Sequence, residues 1–333
     1  MRNYVLALVL GLSLVFCGCN KPKAAENVVV VYTSVDKPIA EPILKEFEQR
    51  TGIKVEVVTD AEGTKTAGLA TRLENERNNP RADVYWGNEP FYTINLAQKE
   101  VLAKYVSPAA DDIPAMYKDP EGRWAATALR IRVLGVHDSV STEQQPTSLF
   151  DLADKRFKGR VAMAKPSFGT TGGQVAALFV KLGDNEARQY LRDLVANDIK
   201  LVGGNAQVTR EVGSGNMLAG MTDNDDVDAT KAAGGKLRAV VPDQGEGQIG
   251  TLTIPCTVAM VAGARHEANA KKLIDYLLSR EVEQKLIEKQ FAAHSVFQVG
   301  TAKGIKPMDV DYRKVAAKLS DAINESLTIL EKR

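Results

Sequence analysis

The stretch VVVVYTSVDKPIAEPILKEFEQRTGIKVEVV, residues 28–58, decides the fold class of this 333-residue chain. It opens on a run of β-branched valines, which favours a buried strand. Ile43, Leu44 and Phe47 then recur at helical spacing, Gly52 ends that pattern, and a second β-branched run follows at residues 53–58. The stretch therefore predicts a β-α-β unit whose two strands lie parallel.

Short apolar strands alternate with helical stretches along the rest of the chain. Strand patterns recur at residues 83–86, 160–164 and 218–222, each followed by a helical pattern. This alternation predicts an α/β fold with helices packed on a largely parallel sheet. Sheets of this kind bind ligands beyond the carboxyl ends of their strands, so those ends are the expected place for a site.

Two further strand patterns, at residues 128–136 and 251–261, bracket a central block with its own β-α alternation. More than 300 residues usually exceed one compact core, so we expect two lobes, two hinge crossings and a ligand cleft between the lobes. The predicted ranges are 28–127 plus 258–305 for lobe 1, 128–257 for lobe 2, and 306–333 for a C-terminal helix that packs on a lobe.

The N-terminus has the pattern of an export signal. Arg2 precedes an apolar run at residues 4–16, and Gly18-Cys19 follows before the chain turns polar. The sequence predicts a signal peptide at residues 1–18, lipidation of Cys19 as in bacterial lipoproteins, and a tether at residues 19–27. The protein would then be exported and held at the membrane; ordinary cleavage without a lipid is the alternative.

Composition excludes several classes of function. The 43 Lys and Arg residues balance the 42 Asp and Glu residues, so nothing indicates a nucleic-acid partner. The three histidines are scattered and no nucleophile motif is present, which argues against an enzyme and a resident cofactor. Of three cysteines, Cys256 stands in an apolar stretch and is expected to be buried and unreactive.

Clustered polar side chains follow several of the predicted strands and are expected to face one cleft. The candidate ligand-binding residues among them are Thr33, Ser34, Asn88, Glu89, Ser167, Thr170, Thr171, Asn205 and Thr222. The glycine-rich loop at residues 167–173 precedes a helix predicted at residues 175–181, so its hydroxyl and N–H groups can hold an anion. Simple helix capping by a threonine is the alternative.

Asp223, Asp225 and Asp226 form the sharpest local feature. Carboxylates this close are costly to hold together unless a cation neutralises them, so we expect them to contact a ligand; capping of the following helix is the alternative. Arg130 and Arg132 share one face of a predicted strand, from which an arginine can pair with the aspartates or with an anion. For Arg132 a solvated position is an equal alternative.

Six short motifs carry a family resemblance: VYTS at residues 31–34, FEQRTGIKV at 47–55, ADVYW at 82–86, PTSLFDL at 146–152, FKGR at 157–160 and KPS at 165–167. Through them the chain resembles the periplasmic ferric-iron-binding proteins, solute receptors of ABC importers, over nearly all of residues 28–300. The resemblance implies the type II periplasmic-binding-protein fold. It also implies a monomeric receptor that serves a membrane permease and its ATPase.

The resemblance leaves the ligand open. The family's iron-binding tyrosine pair corresponds to Asp225 and Asp226 here, and its glutamate to Asn88 with Glu89 adjacent. Ferric iron, held by Asp225, Asp226 and Glu89 with an anion at Ser167 and Thr170, is the leading expectation. A zwitterion such as an aminoalkylphosphonate would place its phosphonate on the loop and its ammonium on the aspartates. A secreted metal-dependent hydrolase is the third reading.

Overall fold

The computed structural model describes residues 27–59, 66–167, 169–297 and 304–331. The predicted signal peptide and Cys19 lie outside these residues. In the part of the chain that is described, no helix combines the length and apolar character needed to cross a bilayer.

The described residues alternate between strands and helices in the predicted α/β manner. The strands are β1 Val28–Thr33, β2 Lys54–Thr59, β3 Val84–Gly87, β4 Leu102–Ala103, β5 Ala125–His137, β6 Val161–Ala164, β7 Lys200–Val202, β8 Ala219–Asp223, β9 Leu237–Val240 and β10 Thr253–Val261. The helices are α1 Lys37–Thr51, α2 Ala67–Asn75, α3 Phe91–Gln98, α4 Thr170–Leu182, α5 Asp184–Ala196, α6 Asn205–Gly213, α7 Asn224–Ala232, α8 Glu267–Leu277, α9 Arg280–Glu288 and α10 Tyr312–Leu330.

The strands follow the order β2-β1-β3-β10-β5-β8-β6-β7, with β4 on β10 and β9 on β5. The first β-α-β unit is as predicted, since β1 pairs in parallel with β2 and β3. Val29 and Val31 belong to one apolar cluster and Tyr32 to another, so both faces of β1 are buried. Burial on both faces explains why this strand reads as a continuous apolar run.

Strand β5 joins the two halves of the sheet. Its residues up to Ile131 pair with β10, and from Arg132 onward it pairs with β8 and β9. The backbone N–H of Ile131 donates to Asn224 Oδ1 at 2.9 Å, so a side chain supplies the acceptor at the change of partner. The first half-sheet thus holds β1–β4 and β10, and the second holds β6–β9. The lobe ranges themselves stay a prediction.

Helix α4 begins five residues earlier than the sequence indicated, and it includes Gly172 and Gly173, which are needed for packing; Gly169 precedes the helix at φ +54°. A Cβ on Gly172 would stand 2.5 Å from the carbonyl oxygen of Pro166, and one on Gly173 would stand 2.3 Å from the ring of Phe91. Glycine therefore lets the first turn of α4 lie directly against α3 of the first half-sheet.

The C-terminal helix α10 contacts both halves of the molecule. Asn95 of α3 donates to the carbonyl oxygen of Ala316 at 3.1 Å. On the other side, Lys318 lies 3.0 Å from Asp184 of α5. The helix predicted within residues 306–333 thus packs across the join between the two half-sheets.

Candidate functional site

Asp223 is the centre of a buried polar network at the carboxyl end of β8. Its Oδ1 accepts a hydrogen bond from Arg132 Nη1 at 2.6 Å, and its Oδ2 accepts from Arg130 Nη2 at 2.8 Å. Asp223 and Arg132 are 1% exposed and Arg130 is 3% exposed. Burial, the largest influence, acts to raise the pKa of Asp223, but Arg130 and Arg132 hold it below its usual value.

Arg130 connects the two half-sheets. It pairs with Asp225 Oδ1 through Nη2 at 2.6 Å, donates to the carbonyl oxygen of Asn88 through Nη1 at 3.3 Å, and lies 5.0 Å from the ring centroid of Phe291. Burial works to lower the pKa of Arg130, but the two carboxylates raise it well above its ordinary value. The guanidinium is therefore permanently charged and fixed between the halves.

The first turns of α4 and α6 complete the contacts of Asp223. Thr170 Oγ1 donates to Asp223 Oδ2 at 2.6 Å, and Asn205 Nδ2 donates to the same oxygen at 3.1 Å. Thr171 Oγ1 donates to Asn205 Oδ1 at 3.0 Å, and Thr222 Oγ1 lies 3.4 Å from the carbonyl oxygen of Asn205. Neither threonine side chain caps α4, so the capping alternative does not hold for Thr170 or Thr171.

A second polar cluster lies at the carboxyl ends of β1 and β3. Ser34 Oγ donates to Asn88 Oδ1 at 3.1 Å, and Thr66 Oγ1 donates to the same oxygen at 2.8 Å. Thr33 instead bonds the carbonyl oxygen of Trp86 at 2.8 Å, which ties β1 to β3. Ser34 and Asn88 thus stand beside Arg130, while Thr33 has a structural contact.

The carboxylate of Glu89, an expected metal ligand, caps the first turn of α3. Its two oxygens accept hydrogen bonds from the backbone N–H groups of Phe91 and Tyr92 at 2.8 and 3.0 Å. Burial raises the pKa of Glu89 to about 7, although these N–H groups act to lower it. Its metal-ligand role stays a prediction, and the observed contacts do not favour it.

Asp225 and Asp226 stand in the first turn of α7. One carboxylate oxygen from each of them and one from Asp223 lie within 4.8 Å of one another. Burial raises the pKa of Asp225 to about 6, against the opposing effect of Arg130. Asp223, Asp225 and Asp226, the acidic cluster of the sequence, thus lie close together, whereas Glu89 is not in this group; a metal at Asp225, Asp226 and Glu89 stays a prediction.

Ser167 is half-buried before α4 and, among the described residues, contributes no hydrogen bond to the network around Asp223. Its predicted contact with an anion stays a prediction. Cys256 is buried and free, as expected, and burial raises the pKa of its thiol to about 12.

Arg132 is the main functional residue that the sequence left undecided. Its Nη1 is used by Asp223 and Thr170, but its buried Nε and Nη2 have no acceptor among the described residues. Both amide atoms of Gln174, one helical turn after Thr170, are also buried without a partner there. Buried donors of this kind are costly unless an acceptor reaches them. A lone glutamine gave no sequence signal.

The site thus combines three carboxylates, two guanidinium groups and several hydroxyl and amide groups. Asp223 is saturated by protein donors, whereas Arg132 keeps two donor atoms to offer. An anionic group can satisfy those donors, and a cationic group can neutralise Asp225 and Asp226.

Comparisons with known proteins agree with this geometry. The sequence profile described as bacterial extracellular solute-binding protein matches residues 28–291. A candidate 2-aminoethylphosphonate-binding periplasmic protein of Salmonella typhi is 27% identical over 317 residues, covering 93% of this chain and 89% of that protein. Iron uptake protein A1 of Synechocystis is 25% identical over 284 residues, covering 80% of this chain and 75% of its own.

The fold is also found among solved structures. The crystal structure of iron-bound HitA from Pseudomonas aeruginosa is 21% identical in sequence and matches with a TM-score of 0.79. The match covers 91% of this chain and 99% of that one. The likeness shows that the present chain has the same α/β architecture.

Proposed function

The chain belongs to the bacterial extracellular solute-binding proteins, receptors of ABC importers with the type II periplasmic-binding-protein fold, and on that premise we propose that its ligand is a small zwitterion with a phosphonate or phosphate group. In this proposal the anionic group takes the free donors of Arg132, and the ammonium lies against Asp225 and Asp226. 2-Aminoethylphosphonate is the test compound, since a relative matching 93% of the chain is named for it.

The observation that carries this proposal is the pair of buried donors on Arg132 that have no acceptor in the described part of the chain. A guanidinium presents its N–H groups in a planar fork that suits the oxygens of a phosphonate. The threonine hydroxyls and the N–H groups of the first turn of α4 lie beside this fork, where the helix dipole also favours negative charge. Glu89 adds no contact in this arrangement, because its carboxylate is used by α3.

Ferric iron, the leading expectation from the sequence, is the second candidate for the transported ligand. It is favoured by the three carboxylate oxygens within 4.8 Å of one another and by the similarity to iron uptake protein A1. Carboxylates are hard donors that suit such an ion. Against it, both oxygens of Asp223 are already used by arginines, so iron binding requires that these ion pairs rearrange.

Calorimetric titration of the purified protein with 2-aminoethylphosphonate, ethylphosphonate and ferric citrate separates these candidates. We expect saturable binding of 2-aminoethylphosphonate and weaker binding of ethylphosphonate, which lacks the ammonium. The matched variant Asp225→Asn should lose that difference. Stoichiometric iron in elemental analysis, together with no response to either phosphonate, would refute the zwitterion and establish the metal.

Further parts of the proposal concern where and how the receptor works. We propose that it acts as a monomer, lipid-anchored through Cys19, and delivers its ligand to a cognate permease and ATPase without chemical conversion. Mass spectrometry of the mature protein tests the lipid, and recovery of unchanged ligand from the bound complex tests the absence of turnover. A hydrolysed ligand would support the metal-dependent hydrolase instead.

A further inference from the structure

A second charged cavity lies in the first half-sheet, away from the Asp223 network. It has a volume of about 770 Å³ and is formed by one face of β1 and β2, by α2 and by the loops before β3 and after β10. Its lining cations are Lys54, Arg72, Arg81 and Arg265, with His266 beside them. Lys54 pairs with the lining acid Glu56 at 2.7 Å, whereas no acid among the described residues pairs with Arg81 or Arg265, so these two cations give the cavity its positive charge.

The arginines are only partly used by the protein's own acids. Arg72 pairs with Glu76 at 2.9 Å and lies 4.6 Å from the ring centroid of Tyr32. Arg265 donates to the neutral side chain of Asn79 at 2.8 Å, and no acid among the described residues forms an ion pair with it. Such groups bind phosphate oxygens well, since guanidinium is weakly hydrated and presents several donors.

The loops that carry Arg81 and Arg265 pack against each other. Gly263, at φ +74°, allows its loop to approach Pro80, whose Cγ would stand 3.1 Å from a Cβ at that position. His266 is held by the fully buried Asp83, which accepts from its backbone N–H at 2.9 Å and contacts its Nδ1 at 2.8 Å. The basic side chains therefore project from a fixed base.

The cavity also lies where the N-terminal segment enters the fold. Asn27, the first described residue, lines it, and Cys19 precedes Asn27 by eight residues. Eight residues span at most about 29 Å when fully extended. A lipid on Cys19 would thus keep this cavity within that distance of the bilayer surface.

We propose that this basic cavity, which we call the basal pocket, binds the phosphate headgroups of anionic phospholipids. A single electrostatic patch adds to a lipid anchor as a second membrane-binding signal, each Lys or Arg near an anionic surface contributing about 1 kcal/mol. The basal pocket runs along β1 as far as Tyr32, and its lysine lies at the end distant from the solute site. Lys54 lies opposite Val28 at the amino end of β1, roughly 17 Å along the strand from Thr33 by the usual rise per residue.

Co-sedimentation with vesicles tests the proposal, using the mature chain from residue 20 without a lipid, since every contact described above lies within residues 27–331. We expect binding to vesicles containing phosphatidylglycerol, none to phosphatidylcholine alone, and release by salt. The variant Arg81→Ala with Arg265→Ala should reduce binding by about tenfold or more. Both side chains are exposed, so the thermal midpoint should hold.

The matched control is Lys158→Ala with Arg192→Ala, two exposed cations of the second half of the molecule. Equal loss in the control would mean diffuse attraction and would overturn the basal pocket. Equal binding to both kinds of vesicle, or binding of inorganic phosphate without vesicle binding, would overturn the membrane assignment. Titration with 2-aminoethylphosphonate should give the same affinity in both variants, so this test is independent of the solute proposal.

Discussion

Arg132 Nη1 lies 2.6 Å from Asp223 Oδ1, and both side chains are 2% exposed. This buried pair joins β5 to the end of β8, while Arg130 holds the other carboxylate oxygen. Both charged groups are shielded from water. Arg132 therefore depends on Asp223 for neutralisation, and Asp223 depends on the two arginines.

Replacing Asp223 should therefore damage the fold as well as the site. In Asp223→Asn, Arg132 loses its anionic partner, and we expect unfolding to become easier by about 3–5 kcal/mol in denaturant titrations. Asp228→Asn, in the helix α7 that follows Asp223 but outside the network, is the control and should change stability by less than about 1 kcal/mol. Equal stability of the two variants would show that the pair is not needed.

Arg132→Lys should separate binding from folding. Lysine keeps the positive charge next to Asp223 but lacks the planar fork that offers Nε and Nη2. We expect affinity for 2-aminoethylphosphonate to fall more than tenfold in calorimetry, with a smaller stability loss than in Asp223→Asn. Arg238→Lys, a half-buried residue outside the site, is the control. Unchanged affinity in Arg132→Lys would remove the anion from this position.

Asp225 should make ligand binding pH-dependent. Its raised pKa of about 6 means that it is charged above that pH and protonated below it. Affinity for an ammonium-bearing ligand should thus weaken between pH 7 and 5. The ligand's own titration is common to wild type and Asp225→Asn, so the difference between the two isolates this carboxylate. Parallel pH profiles would contradict an ammonium contact at Asp225.

Glu89 should make the fold less stable as the pH rises. Burial raises its pKa from 4.5 to about 7, so the folded state binds more protons than the unfolded state between those values, and stability falls as the carboxyl ionises. The cost is at most about 3 kcal/mol. The thermal midpoint of Glu89→Gln, relative to wild type, should rise between pH 5 and pH 8. A constant difference would mean that Glu89 does not titrate with a raised pKa in this pH range.

Gly173 should control how closely the two halves approach. Gly173→Ala would place a Cβ 2.3 Å from the ring of Phe91, so α4 and α3 must separate. We expect a larger radius of gyration in X-ray scattering and weaker ligand affinity. In the double variant with Phe91→Ala the clash is gone, and the scattering change should reverse. Additive effects of the two substitutions would rule out direct contact as the cause.

Much of the fold could be predicted from local patterns. The β-branched run of β1 and the periodic Ile43, Leu44 and Phe47 of α1 depend on neighbours in sequence, and they appear where expected. The start of α4 could not be predicted in this way. Gly172 and Gly173 weaken a helix by their own propensity, but packing against Pro166 and Phe91 requires them.

The site, like the fold, could be predicted from the sequence only in part. The acidic cluster and the threonines were visible as residue types at strand ends, and the sheet topology brings those ends together. The hydrogen-bond donors of each Asp223 oxygen could not be predicted, because they come from residues 130, 132, 170 and 205, which are distant in sequence. Glu89 shows the limit most clearly, since its contacts with α3 depend on a side-chain orientation that spacing does not encode.

The sequence by itself determined the α/β class, the β-α-β start and the residue types available to a ligand, since these follow from periodicity and composition. Tertiary structure alone decided that Arg132 is buried and that two of its donors meet no acceptor within the described ranges of the chain. The physical reason is desolvation: a charged side chain acquires its pairing and its pKa from groups distant in sequence that exclude water around it.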